Sequence, residues 1–176
     1  MFDKGGAALR EITCSVTGHR PEKLPWGGNE KDERCIAFKK CMSEEIMRAY
    51  EKGYRRFISG MARGVDIIFC ETALELRDKL YSDIIVEAAV PCDTQADKWN
   101  GWDQARYRRA LARCSTVTYV SHEHTSGCMM KRNRYLVDEA GLLLAVCGGE
   151  SSGTMKTLLY AVRRGIEVVV IDPNDF

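Results

Sequence analysis

The sequence predicts a Rossmann-like, three-layer α/β/α sandwich with a mostly parallel sheet of about six strands. Three observations predict it. Short apolar runs alternate with helical patterns along the chain. Two of those runs, Leu142-Leu143-Leu144-Ala145-Val146 and Val168-Val169-Val170-Ile171, are continuous, as in parallel strands covered on both faces. The glycine-rich segments fall directly after strands, at the edge where such sheets bind ligands.

The first strand is read at 12–17, followed by a polar loop over 18–29. A helix over 31–52 places Cys35, Phe38, Met42, Ile46 and Ala49 on one face, at steps of three and four, and Gly53 stops it. A second strand at 55–59 leads into a helix over 64–80, and a third strand at 84–89 is closed by Pro91. A helix over 102–114, a strand at 116–120, a helix over 128–139 and a strand at 142–146 follow. The last helix, 153–164, stops at Gly165, and the last strand is 167–171. With no linker and no internal repeat, residues 1–176 are expected to form one domain.

Composition narrows the partners. The net charge of +1 gives no global field to draw the chain to nucleic acid or an acidic membrane, although a local basic patch stays open. No apolar run approaches the roughly 20 residues that cross a bilayer, and residues 1–10 lack a signal-peptide pattern, so a cytoplasmic protein is expected. None of the eight cysteines forms a CxxC pair, and most sit within apolar patterns, which suits reduced core thiols. His122, His124 and Cys128 match no common zinc spacing and have no evident fourth ligand, so no metal is expected.

Three strand-end loops carry the candidate site. In Thr17-Gly18-His19-Arg20-Pro21, Gly18 permits close backbone approach, His19 is titratable and Arg20 offers a two-pronged donor to phosphate. In the segment from Ser59 to Asp66, Ser59, Gly60, Arg63 and Gly64 precede a helix whose free N–H groups and dipole suit an anion. Asp66 caps that helix or accepts from a ligand hydroxyl. In the third loop, Gly148, Gly149, Glu150, Ser151, Ser152, Gly153 and Thr154 open the last helix as a phosphate cradle. Neither a Walker A loop nor a GxGxxG after the first strand is present. Arg132 lies early in its helix, against the dipole, with Asn133 beside it, and is read either as reaching for an anion or as part of a solvated helix face. Gln95 and Trp99 are read either as contacts to a base or lid, or as a pinned surface loop.

Together these motifs resemble the YpsA-like family of the SLOG superfamily, which also contains the DprA proteins and the LOG phosphoribohydrolases. The markers are Thr17-Gly18-His19-Arg20-Pro21, Ser59-Gly60 with Gly64-Val65-Asp66, Gln95 with Trp99, Arg132-Asn133 with Val137-Asp138, and Gly153-Thr154. The resemblance implies a fold that binds nucleotides or nucleotide-derived molecules. LOG-type enzymes place a glutamate shortly after the last Gly-Thr, and here that position holds Thr157. Enzymatic activity is therefore not the leading expectation.

Three functions follow. The first is binding or sensing of a nucleotide-type ligand, with Arg20 and Arg132 as cations and Asp66 or Asp138 on a ribose hydroxyl; no cofactor is required. The second is N-glycosidic cleavage or transfer, with His19, Asp66, Glu150 and Asp138 as candidate groups. The third is a single-stranded DNA module, in which Arg106, Arg108, Arg109 and Arg113 line up beside Trp99, Trp102 and Tyr107. The partner favoured is a small nucleotide, with nucleic acid second and no membrane. Pairing with a second copy is left open.

Overall fold

A computed structural model describes residues 4–149 and 152–176. The strands are β1 (Thr13–Gly18), β2 (Arg56–Ser59), β3 (Ile85–Val90), β4 (Thr116–Tyr119), β5 (Leu142–Val146) and β6 (Glu167–Ile171). The helices are α1 (Lys4–Glu11), α2 (Glu33–Glu51), α3 (Val65–Lys79), α4 (Gly101–Arg113), α5 (Cys128–Asp138) and α6 (Gly153–Arg164). All strand pairs are parallel, in the order β4-β3-β2-β1-β5-β6.

The expected alternation is present, with boundaries displaced by one or two residues. One helix was not expected. α1 contains Gly5 and Gly6 and no apolar periodicity that marks a helix in sequence. Its end is tied to the sheet: Thr13 Oγ1 donates to the Leu9 carbonyl at 2.6 Å and Arg10 Nε to the Ala140 carbonyl at 3.1 Å.

The two sheet faces differ. The larger core packs Phe38, Met42 and Ile46 of α2 and Ile68, Phe69 and Leu74 of α3 against Cys14, Val16, Phe57, Val86 and Leu144. The loop after β1 joins this core through buried Leu24 and Trp26, the Trp26 ring lying 5.1 Å from that of Phe38. On the opposite face, α5 and α6 cover Ile58, Ala89, Leu143 and Ala145.

That second face also buries polar groups. Arg56 Nε and Nη2 bind Glu87 Oε2 at 2.8 and 2.6 Å, and Nη1 reaches Glu139 at 3.1 Å. The Glu87 carboxylate also accepts from Thr118 at 2.9 Å and Tyr135 at 2.7 Å. Burial and this bond push the Tyr135 hydroxyl up to about 12. The network joins β2, β3 and β4 to α5, so it fixes the helix that crosses from one half of the sheet to the other.

Arg56→Met should leave Glu87 buried without its cation. The expected loss is about 3–5 kcal/mol of folding stability, measured by denaturant unfolding. A loss below about 1 kcal/mol would show that the network contributes little.

Candidate ligand site at the switch point of the sheet

The chain winds outward from β1 through β2 and β3 to β4, and then returns past β1 to β5. The loops after β1 and β5 therefore diverge, and a crevice opens between them. A cavity of about 400 Å³ lies there. Its walls come from the end of β1 and the loop after it (Thr17, Gly18, His19, Arg20, Glu22, Lys23), the β2–α3 loop and first turn of α3 (Ala62, Asp66), α5 (Met129, Arg132, Asn133) and the N-cap and first turn of α6 (Ser152, Gly153, Thr154).

An ion pair closes the inner end. Arg132 Nη1 binds Asp66 Oδ2 at 2.7 Å, and both side chains are almost fully buried. Asp66 Oδ2 also accepts from the Ala62 N–H at 3.3 Å. The anion that Arg132 reaches for is thus supplied by the protein. Among the described residues its Nε is buried with no hydrogen-bond partner, so there the guanidinium is only partly satisfied.

The β2–α3 loop differs from the expected anion cradle. Its N–H groups are largely engaged within the protein: Met61 N–H donates to Ser59 Oγ at 3.1 Å, Ala62 N–H to Asp66 and Val65 N–H to the His19 carbonyl at 3.2 Å. Its glycines serve close packing. A Cβ on Gly60 would lie 1.2 Å from Arg132 Nη1, and one on Gly64 would lie 2.6 Å from the His19 carbonyl oxygen. Gly64 also has a φ of +88°. Gly18 is likewise pressed against Val65. Met61 adopts a φ of 57° despite its side chain, and Gln95 holds it there by donating to its carbonyl at 2.6 Å. Gln95 is therefore a brace for this loop and is not among the residues lining this cavity, while Trp99 packs edge-on against Tyr107.

Other expected residues fall elsewhere. Arg63 does not itself line the cavity: it pairs with Glu22 of the cavity wall and, at 3.5 Å, with Asp103. Ser59 Oγ donates to the Asp66 carbonyl at 2.7 Å and is fully buried. Asp138 lies at the far end of α5, where it accepts from Tyr160 at 2.9 Å and pairs with Arg164 at 3.1 Å; a role on a ribose in this cavity is excluded by that position. Arg106 is buried against Glu30 and Glu71 with a 2.5 Å contact to the latter, and Arg113 pairs with Asp78 at 2.7 Å. Two of the four arginines expected to form a basic face on α4 are therefore neutralised, while Arg108 and Arg109 stay exposed. Gly148 abuts Asn174 in an adjoining hollow, and Glu150 and Ser151 lie outside the described residues. His122 faces Asp93 at 3.3 Å while Cys128 is buried at the start of α5.

Of the third loop, Ser152, Gly153 and Thr154 line the cavity. Ser152 Oγ caps α6 by accepting from Met155 N–H at 3.1 Å. The N–H groups of Gly153 and Thr154 belong to the first turn, which has no intrahelical acceptors, and both residues face the cavity. Thr157 Oγ1 donates back to the Gly153 carbonyl at 2.9 Å and is buried.

A parallel sheet with helices on both faces and a crevice at its switch point defines the class of Rossmann-like α/β proteins. Within it, this chain belongs to the YspA SLOG family, whose model matches residues 14–168. It is 25% identical over 148 residues to a UPF0398 protein of Bacillus pumilus, covering 82% of this chain and 78% of the relative. It is 29% identical over 118 residues to the SPbeta prophage-derived protein YoqJ of Bacillus subtilis, covering 60% and 68%. Its fold is similar to DNA processing protein A from Helicobacter pylori, which binds single-stranded DNA, with a TM-score of 0.60, 17% identity, and 96% of this chain and 68% of that one covered. The Streptococcus pneumoniae DprA gives a TM-score of 0.57 at 13% identity, and this chain, 92% covered, spans 50% of its length. Among the described residues, no helix is long and apolar enough to cross a membrane.

Gly60→Ala should displace Arg132 from Asp66. Unfolding in denaturant should show a loss of at least about 2 kcal/mol, as when a buried ion pair is broken. Gln95→Ala should cost about 1–3 kcal/mol by leaving the Met61 carbonyl unpartnered; an unchanged midpoint would remove its bracing role.

Proposed function

We propose that this cavity binds a nucleotide or nucleotide-derived small molecule through its phosphate. The observation that carries the reading is convergence. The first turn of α6 and the cations Arg20 and Lys23 all face one cavity of about 400 Å³ at the switch point. Ligand phosphate sits at the α6 N-terminus, where backbone donors and the dipole favour an anion. Arg20, exposed at the rim, clamps it from the β1 side. Asp66 is already occupied by Arg132 and Ala62, and Thr157 stands where LOG-type enzymes carry glutamate, so binding is favoured over N-glycosidic cleavage.

A thermal-shift screen with nucleoside mono-, di- and triphosphates and NAD tests this. A ligand at 100 times its Kd stabilises the fold by about 2.7 kcal/mol. Arg20→Ala should weaken the responding ligand by roughly tenfold to a hundredfold, as for a charge-assisted hydrogen bond of about 1.5–3 kcal/mol. No shift with any of the compounds would end this reading. Incubation with the same panel should release no free base; release above the uncatalysed rate would instead establish the hydrolase.

The likeness to the Helicobacter pylori protein favours one second reading, binding of single-stranded DNA along this edge of the sheet. Its mark would be an affinity that falls steeply between about 50 and 200 mM salt, because phosphate contacts release counterions. Salt-independent retention of a labelled oligonucleotide would exclude it.

A further inference from the structure

Away from the cavity, the chain brings two thiols into contact. Cys70 lies in the middle of α3 and Cys114 caps the C-terminus of α4, and their sulfurs are 3.7 Å apart. The geometry points to a reversible oxidation site, at which a peroxide converts Cys70 and Cys114 to a disulfide that ties α3 to the end of α4. The two positions are separated by 44 residues, so the contact is a product of the fold.

The two sulfurs have different surroundings. Cys70 is fully buried, while Cys114 is part-exposed in an extended residue just past the helix. Either sulfur can donate in their contact, and the Cys114 thiol also donates to the Ala110 carbonyl at 3.2 Å. The contact with Cys70 and the nearby Arg77 and Arg113 guanidiniums lower the Cys114 pKa, against the opposing effects of burial and Glu87. The same contact, with burial, raises Cys70 well above the usual thiol range. Asp78 lies between the two arginines and pairs with both, so the cationic surroundings are tempered rather than bare. A part-exposed thiol in contact with a second, resolving thiol is the arrangement that peroxides oxidise to a disulfide. Bond formation requires the sulfurs to close from 3.7 Å to about 2.05 Å. Cys114 lies beyond the last residue of α4 and can make that movement without breaking the helix.

The chemistry balances in two steps. The Cys114 thiolate attacks one peroxide oxygen, the O–O bond breaks, and hydroxide leaves to take up the thiol's proton as water. The resulting sulfenic acid is attacked by Cys70 sulfur. The S–S bond forms, the S–O bond breaks, and the Cys70 proton leaves with the hydroxyl as a second water. Two thiols are oxidised by two electrons and one peroxide is reduced.

The test uses the reduced, full chain and a few equivalents of hydrogen peroxide. Remaining thiols are alkylated and the protein is digested with trypsin without reductant. The expected product joins peptides 64–77 and 114–131, is lighter by two hydrogens than their sum, and disappears on reduction. Fragment ions must place the link at Cys114 and not at Cys128, which shares the peptide. Buried Cys14 and Cys35 serve as unreactive references. In Cys70→Ser, Cys114 should stop at the sulfenic acid and take up dimedone. Recovery of Cys70 and Cys114 as alkylated thiols after other cysteines have oxidised would overturn the proposal. So would a link from Cys70 to any other cysteine. Both readouts on the unmutated chain stand even if the variant fails to fold.

Discussion

The buried contact between Asp66 and Arg132 joins the two helices on which the cavity depends. Asp66 starts α3 on one face of the sheet, and Arg132 belongs to α5 on the other. A charge pair removed from water is costly unless its hydrogen bonds are nearly complete. Here the carboxylate gains the Ala62 N–H as well as the guanidinium. The approach is possible because no side chain at Gly60 intervenes. A single contact therefore fixes the β2–α3 loop, the rotation of α5 and the floor of the crevice.

The other braces serve the same end. The Arg56, Glu87, Tyr135 and Glu139 network holds the middle and end of α5 to β2 and β3. Leu24 and Trp26 anchor the loop after β1 to α2, which sets the rim residues Arg20 and Lys23 above the opening. Gln95 holds Met61 in a backbone conformation that its side chain disfavours. The β1 and β2–α3 loops are thus tied to each other, through Val65 N–H on the His19 carbonyl and Arg63 on Glu22. The third, at the start of α6, brings the first-turn residues Gly153 and Thr154 to the crevice.

This division of roles explains what the sequence made legible. Alternation and the continuous runs of β5 and β6 are local signals, and they located every strand within a residue or two. α1 escaped because its glycines and short length leave no periodic pattern, and it forms where tertiary contacts hold its end. The position of Arg132 against its helix dipole was informative about an anion, but its partner lies 66 residues away and is not written nearby. Asp138 shares α5 with Arg132, but the length of the helix carries it to the opposite edge of the sheet. Arg106 stepped in register with Arg109 and Arg113, yet the fold brings Glu30 and Glu71 against it.

The glycines make the same point in reverse. A glycine-rich loop before a helix is expected to let a ligand approach, and its sequence cannot distinguish that from letting another loop approach. At Gly60 and Gly64 the approaching group is protein, namely Arg132 and the His19 carbonyl. At Gly153 a Cβ would meet nothing within 4 Å among the described residues. Contact between loops makes a rigid wall, and open space beside unpaired helix donors makes a place for an anion. The Arg132 Nε, unpartnered among the described residues, lies where these two conditions meet, since its guanidinium belongs to the wall and faces the cavity.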